Sequence, residues 1–315
     1  MAEFDLIARI RARARGRDDV VLGIGDDAAL LAVPPDRQLV VATDTLNAGV
    51  HFPDGTAPAD IGWKALAVNL SDLAAMGAEP AWCTLALSLP QADAAWLDGF
   101  LDGFLELAAM HRVALVGGDT TRGPLSVSVT VHGLVEPGTA LRRDNARVGD
   151  VVWVSGTLGD AAGALAQWRA GNTIDPALRA RLDRPHPRVA LGRELRILAH
   201  AGIDVSDGLL ADLGHVCAAS GVGAEIDVDA LPASPALAAS FAGDARRTLQ
   251  AAGGDDYELC ITAPADAASA LQALATQAGV ALSAIGRIVA GGEVRARTAD
   301  GRDWQPPRAG YVHFG

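Results

Sequence analysis

The chain has 315 residues, half of them hydrophobic, which is enough to bury a sizeable core, argues against global disorder and suggests two domains. A formal net charge of −12, from 38 acidic and 26 basic side chains, argues against nonspecific binding to nucleic acid or anionic membranes, which need exposed cationic surface. Lys64 is the only lysine, so an anionic ligand would have to be met by arginines and metal ions.

Residues 4–15 place apolar side chains at helical spacing with arginines opposite, predicting a short amphipathic helix. The first 20 residues hold no apolar h-region and no apolar run approaches the ~20 residues of a membrane span, so the expected location is cytoplasmic. A strand at 20–22 enters the turn Gly23-Ile24-Gly25-Asp26-Asp27, and 38–43 reads as a buried strand ending at Asp44. Residues 59–76 read as a helix with Gly77 as its stop. A strand at 82–89, a helix at 92–110 and a strand at 113–116 lead into Gly117-Gly118-Asp119, and 125–135 alternates as a strand with one buried face. The polar turn at 147–150 marks a change of unit, giving domains at 1–147 and 148–315. Beyond it come a strand at 151–155, a glycine turn at 156–159, an alanine-rich helix and a proline-rich linker at 184–187. Such alternation implies an α/β or α+β architecture.

Aspartates recur beside small residues: Asp26-Asp27, Thr43-Asp44, Ser71-Asp72, Gly118-Asp119, Asp204-Val205-Ser206-Asp207-Gly208 and Gly254-Asp255-Asp256. Carboxylates in turns at the ends of apolar runs suit Mg²⁺, which takes oxygen ligands and is usually held together with substrate phosphates. Gly23 to Ala28 also fits the dinucleotide pattern G-x-G-x-x-A, with Asp44 near the expected ribose position. Two acids inside that turn would repel a pyrophosphate, so metal binding or a solvated turn is the better reading. Asp72 stands in an apolar helical stretch, where a carboxylate is costly unless paired, metal-bound or turned to solvent. Period-2 geometry at a strand end would put Asp204 and Ser206 on one side, with Asp207 leading the turn.

Other residues leave two readings open. Gly117-Gly118 permits close backbone approach to a ligand or makes an ordinary turn. Arg142-Arg143 is a surface pair or a bidentate phosphate partner. His51 is a buried, hydrogen-bonded histidine or a substrate ligand, and the aromatic run 310–314 docks on the core or on a site. The widely spaced Cys83, Cys217 and Cys260 read as core thiols. There is no P-loop, G-x-S-x-G elbow, H-E-x-x-H or protein-kinase H-R-D motif.

Taken in order, GIGDDAALL, TDTLNAGVHF, KALAVNLSDLAAMGAEP, GGDTTRGP, DVSDGLLADLGH, GGDDYEL and GYVHF span the chain and resemble the motif series of thiamine-monophosphate kinases. That family lies in the aminoimidazole-ribonucleotide-synthetase-like superfamily. The resemblance implies a two-domain α/β (α+β) fold: an N-terminal domain that binds metal and nucleotide and dimerises through its sheet, and a C-terminal domain that completes the active site. It implies transfer of the ATP γ-phosphate to thiamine monophosphate, giving thiamine diphosphate, in a homodimer. It also assigns Asp27, Thr43, Asp44, Asp72, Asp119, Asp204 and Asp207 to several Mg²⁺ ions, Gly118, Asp119, Arg143 and Ser206 to ATP, and His51, Asp255 and Tyr311 to thiamine monophosphate. No residue is assigned as acid, base or nucleophile. Two positions depart from the pattern: Ala42 stands where Ser or Thr is common, and Asp255 where the family has Glu. The rival readings are another synthase of the same superfamily, or an inactive nucleotide-binding module.

Overall fold

The computed structural model describes residues 3–308, 310 and 311, with side chains from residue 5 onward. They divide into two compact units, Met1–Leu73 with Ala78–Gly138, and Ala74–Gly77 with Thr139–Gly315.

The first unit runs α1 (Glu3–Arg13), β1 (Val20–Leu22), β2 (Leu30–Leu31), β3 (Gln38–Asn47), α2 (Pro58–Ala75), β4 (Glu79–Leu89), α3 (Ala94–Met110), β5 (Ala114–Arg122) and β6 (Ser126–Val135). Strands β3-β6-β4-β5 form one sheet, in which only β4 and β5 are parallel. Helix α3 supplies the crossover that a parallel pair requires. It starts at 94 rather than 92 because the Asp93 carboxylate caps it, accepting from the Trp96 N–H at 3.1 Å. Its Leu97, Phe100, Leu101, Phe104 and Leu107 fall at helical spacing and are buried.

Helices α2 and α3 meet backbone to backbone. A Cβ on Gly62 would stand 2.0 Å from the Phe100 carbonyl oxygen, and one on Gly103 would stand 1.8 Å from that of Ala59. Small residues here are therefore a steric requirement.

Strand β3 departs from the expected buried strand in two ways. It continues through Asp44 to Asn47, and it lies at the sheet edge with Leu39 45% and Val41 54% exposed. Alternation puts Asp44 and Leu46 toward the helices and Leu39, Val41, Thr43 and Thr45 on the opposite face. Strand β5 likewise runs straight through Gly117-Gly118-Asp119, so that segment is not a turn.

The second unit runs β7 (Val151–Ser155), α4 (Asp160–Arg169), α5 (Pro176–Asp183), α6 (Val189–Leu198), β8 (Ala201–Asp204), α7 (Leu209–Ser220), β9 (Gly223–Asp227), α8 (Pro235–Ser240), α9 (Gly243–Ala252), β10 (Leu259–Ala263), α10 (Ala268–Ala278), β11 (Leu282–Val289), β12 (Val294–Arg297) and β13 (Asp303–Trp304). Its sheet, β13-β12-β9-β11-β7-β10-β8, is antiparallel except for β12 with β9. Val152, Val154, Ile203, Leu213, Ile226 and Ile288 belong to its main core, and Leu178, Leu182 and Leu237 to a smaller one. All three cysteines are buried, as core thiols. Among the described residues, no helix is long and apolar enough to cross a membrane.

Two alanine substitutions of helical glycines should move stability in opposite directions. Gly103→Ala forces the α2–α3 contact apart and should lower the unfolding free energy by about 1–3 kcal/mol or more. Gly214, in α7, has nothing within 4 Å of its Cβ position, so Gly214→Ala should raise it by about 0.5–1 kcal/mol. Chemical denaturation of both variants measures the signs, and a neutral Gly103→Ala would contradict the close crossing.

Candidate functional site

The second unit gathers five of the expected site residues, Asp204, Ser206, Asp207, Asp255 and Tyr311, around the loop between β8 and α7. Strand β8 ends at Asp204, which is 4% exposed, so Ser206 lies in the turn rather than on a continued strand face. Every main-chain polar group from Val205 to Gly208 is paired. The Val205 N–H donates to the Glu258 carbonyl at 2.8 Å, and those of Ser206, Asp207 and Gly208 all donate to Asp212 Oδ2 at 3.0, 3.1 and 3.1 Å. On the carbonyl side, Val205 accepts from Tyr257 at 2.8 Å, Ser206 from Asp255 at 2.8 Å, Asp207 from Tyr311 at 2.9 Å and Gly208 from Asp212 at 3.0 Å. Ser206, Asp207, Asp255 and Tyr311 are thus tied by backbone to one loop.

Asp255 and Tyr257 both adopt positive φ, +69° and +50°, a conformation that persists only where its surroundings enforce it. The enforcement comes from buried acids on either side. Asp256 accepts from the Gly159 N–H through both carboxylate oxygens at 2.9 Å, and burial pushes its carboxyl well above the usual range. Glu258, 0% exposed, accepts from Ser155 Oγ at 2.6 Å, Arg181 at 2.6 Å and Arg188 at 2.5 and 2.7 Å. Tyr257 Oη donates to Asp255 Oδ1 at 3.0 Å and fixes that side chain.

The two adjacent arginines are treated differently. Arg142 forks onto Asp144, whereas the exposed Arg143 guanidinium makes no hydrogen bond or ion pair among the described residues. The Arg142 carbonyl accepts from Gly202, two residues before Asp204, and the Arg143 carbonyl accepts from Ser220 Oγ at 2.8 Å. Ser220 ends α7, so the Arg143 backbone lies beside the C-terminal end of that helix, whereas Ser206 precedes its N-terminus. The run 310–314 is described as far as Tyr311, which is 47% exposed; residues 312–315 lie outside the described residues.

In the first unit the expected ligands occupy separate places. Asp44 faces α2, its N–H held by Asn69 Oδ1 at 2.9 Å, and Asp72 follows Asn69 on the same helix face, half-buried. Thr43 is on the opposite face of the sheet, its Oγ1 2.8 Å from Thr130 Oγ1. Asp119 shares that open face through the row Thr45, Ser128, Ala86, Asp119, but at the other edge, about 14 Å across three strand spacings. Beside it, a Cβ on Gly118 would meet the Leu85 carbonyl oxygen at 1.8 Å, so strand pairing already demands glycine there. Asp26 and Asp27 are exposed, and the Arg11 guanidinium packs against Gly25 of their loop. His51 follows β3, with Nδ1 accepting from the Asn47 N–H at 3.0 Å and its carbonyl accepting from Lys64 Nζ at 3.0 Å. A neutral ring held in this way carries its proton on Nε2.

Among the described residues no three His, Cys, Asp or Glu side chains converge as a ready-made metal cage. The donor chemistry nevertheless suits Mg²⁺, which is commonly held by one or two carboxylates together with substrate phosphates. Burial, then the charges of Asp204 and Asp207, push the Asp212 carboxyl up to about 7, which marks that loop as rich in negative charge.

Sequence reasoning missed Asp212, Asn69, Lys64 and Glu258. An acid in the first turn of α7 was the one available signal for Asp212. The 1% exposure of Lys64 and the 0% exposure of Asn69 and Glu258 had none.

Residues 25–135 match the family model "AIR synthase related protein, N-terminal domain", and residues 147–298 match "AIR synthase related protein, C-terminal domain". The thiamine-monophosphate kinase of Salmonella typhimurium is 47% identical over 322 residues, covering 99% of this chain and 98% of that protein. The crystal structure of thiamine-monophosphate kinase from Stenotrophomonas maltophilia K279a is 59% identical, with a TM-score of 0.88, covering 94% of this chain and 96% of that one. AaThiL complexed with AMPPCP and TMP is 32% identical, with a TM-score of 0.79 and coverage of 99% and 96%. At this identity over nearly its whole length, the chain belongs to the thiamine-monophosphate kinase family.

Proposed function

We propose that this chain phosphorylates thiamine monophosphate to thiamine diphosphate, with ATP as co-substrate. The observation that carries the reading is the loop 205–208: in a chain of this family, it ties Ser206 and Asp207, on the nucleotide and metal side, to Asp255 and Tyr311, on the acceptor side. AaThiL, complexed with AMPPCP and TMP, supplies the pairing of ligands.

In this reading a phosphate oxygen of thiamine monophosphate attacks the γ-phosphorus in line while the bond to the bridging oxygen of ADP breaks. The attacking phosphate oxygen of thiamine monophosphate is already largely ionised near neutral pH, so no general base is assigned. Both reactants are anionic, and repulsion between them is the main obstacle. Asp27, Thr43, Asp44, Asp72, Asp119, Asp204 and Asp207 would hold Mg²⁺, which when bound supplies charge neutralisation and alignment of the phosphates. Several ions would be held, in keeping with Asp44 and Asp119 lying on different faces of the sheet. Gly118, Asp119, Arg143 and Ser206 hold ATP, with Arg143 as the direct cation on the polyphosphate. His51 offers Nε2–H, Asp255 its charge and Tyr311 its ring to the acceptor.

The working domains are 1–147, for metal, nucleotide and dimerisation, and 148–315, which completes the site. The protein is taken to act in the cytoplasm as a homodimer. Edge strand β3, with Leu39 and Val41 exposed, supports the dimer, because an open apolar edge invites a second copy.

The direct test is purified protein with ATP, Mg²⁺ and thiamine monophosphate, following thiamine diphosphate. Product should form, cease on chelation of the metal and return with Mg²⁺, and γ-labelled ATP without acceptor should leave the protein unlabelled. Absence of product, or a turnover-competent labelled residue, would remove the reading.

Asp255→Asn keeps the volume, the tolerance of positive φ and an oxygen for Tyr257 Oη, so it isolates the charge. It should raise KM for thiamine monophosphate by about ten- to a hundredfold and leave that for ATP nearly unchanged. Unchanged kinetics would take Asp255 out of the acceptor site.

Sedimentation should give a dimer, and Val41→Glu, which puts a charge on the open face of the β3 edge, should shift it to monomer. A wild-type monomer that is active at assay concentration would refute the dimer.

A further inference from the structure

Asp212 belongs to none of the ligand sets above, yet it is 3% exposed and its Oδ2 accepts three consecutive main-chain N–H groups, those of Ser206, Asp207 and Gly208. Successive N–H groups converging before a helix are what a turn offers to a bound phosphate. Here the protein's own carboxylate fills that position. The carbonyls of residues 205–208 are engaged by the N–H groups of Tyr257, Asp255, Tyr311 and Asp212 itself, and the Val205 N–H by the Glu258 carbonyl. The loop therefore has no main-chain donor left for a nucleotide.

We propose that Asp212 is a positioning residue for nucleotide binding: it occupies the anion-receiving turn, fixes the directions of Ser206 and Asp207, and leaves ATP to meet Ser206 through its side chain alone. This rests on the assignment of Ser206 and Asp207 to ATP and metal. Asp212 acts as a hydrogen-bond acceptor, not as a ligand, and that difference separates two substitutions. Asn keeps an amide oxygen at the right reach but no charge. Ser is too short to accept all three N–H groups.

The test compares Asp212→Asn, Asp212→Ser, Ser206→Ala and Asp207→Asn in full-length protein shown to be folded by thermal melting. Asp212→Asn should keep KM for Mg-ATP within about threefold of wild type, whereas Asp212→Ser should raise it by about tenfold or more, with a smaller change in KM for thiamine monophosphate. Amide hydrogen exchange without nucleotide should show residues 206–208 protected in wild type and Asp212→Asn but fast in Asp212→Ser. This readout does not depend on activity. If Asp212→Asn is as damaging as Asp212→Ser, the charge itself is used and the positioning role is overturned. If Asp212→Ser has normal KM values while Ser206→Ala and Asp207→Asn are impaired, the inference alone fails. If those two variants also bind Mg-ATP normally, the assignment of the loop to nucleotide fails, and the inference with it. Should Asp212→Ser not fold, loss of Mg-ATP affinity or of amide protection in Asp212→Asn is by itself enough to overturn the proposal.

Discussion

The peptide groups of residues 205–208 are closed on both sides, with four N–H and four C=O groups all paired within the second unit. Unpaired buried backbone is expensive, of order 1–3 kcal/mol for each lost partner. The loop consequently holds one conformation, and whatever is bonded to it inherits that position. Asp255, Tyr257 and Tyr311 are held to it by their backbone N–H groups, although more than a hundred residues separate Tyr311 from Asp207. A loop fixed in this way costs little further ordering when a ligand arrives, the condition under which binding energy serves alignment.

A second layer supports that loop from behind. The segment bearing Asp255 sits in left-handed conformation at two non-glycine residues, and the buried carboxyls of Asp256 and Glu258 hold it there. Glu258 is matched by two arginines and a serine hydroxyl, so its burial leaves no uncompensated charge. Asp256 takes the other route, with burial favouring its neutral form. The same unit thus keeps its structural acids neutralised while Asp204, Asp207 and Asp212 remain crowded.

The first unit works differently. Its acids are spread over both faces and both edges of one sheet, and what they share is a rigid frame: α2 locked to α3 at Gly62 and Gly103, and Asn69 holding the Asp44 backbone. Lys64 serves the same purpose for His51. Buried on α2, the chain's single lysine donates a hydrogen bond to the His51 carbonyl.

By itself the sequence determined the helices and most strands of the first unit, through periodicity and end signals, and in the second unit the strand 151–155 and the alanine-rich helix after it; α3 differs only by its Asp93 cap. It also determined the family, because seven weak motifs in fixed order are jointly specific. It could not show that β3 lies at an edge or that β5 runs through Gly117-Gly118, since an apolar run reads alike in a central and an edge strand, and paired glycines read as a turn until a neighbouring strand is seen to need them. Only the tertiary structure decided what each buried acid meets. In a string of letters nothing shows that Asp212 accepts from the N–H groups of Ser206, Asp207 and Gly208, Asp256 from that of Gly159, and Glu258 from Ser155, Arg181 and Arg188. The first set depends on how the turn before α7 closes, and the partners of Asp256 and Glu258 are brought to them from distant parts of the chain by the fold.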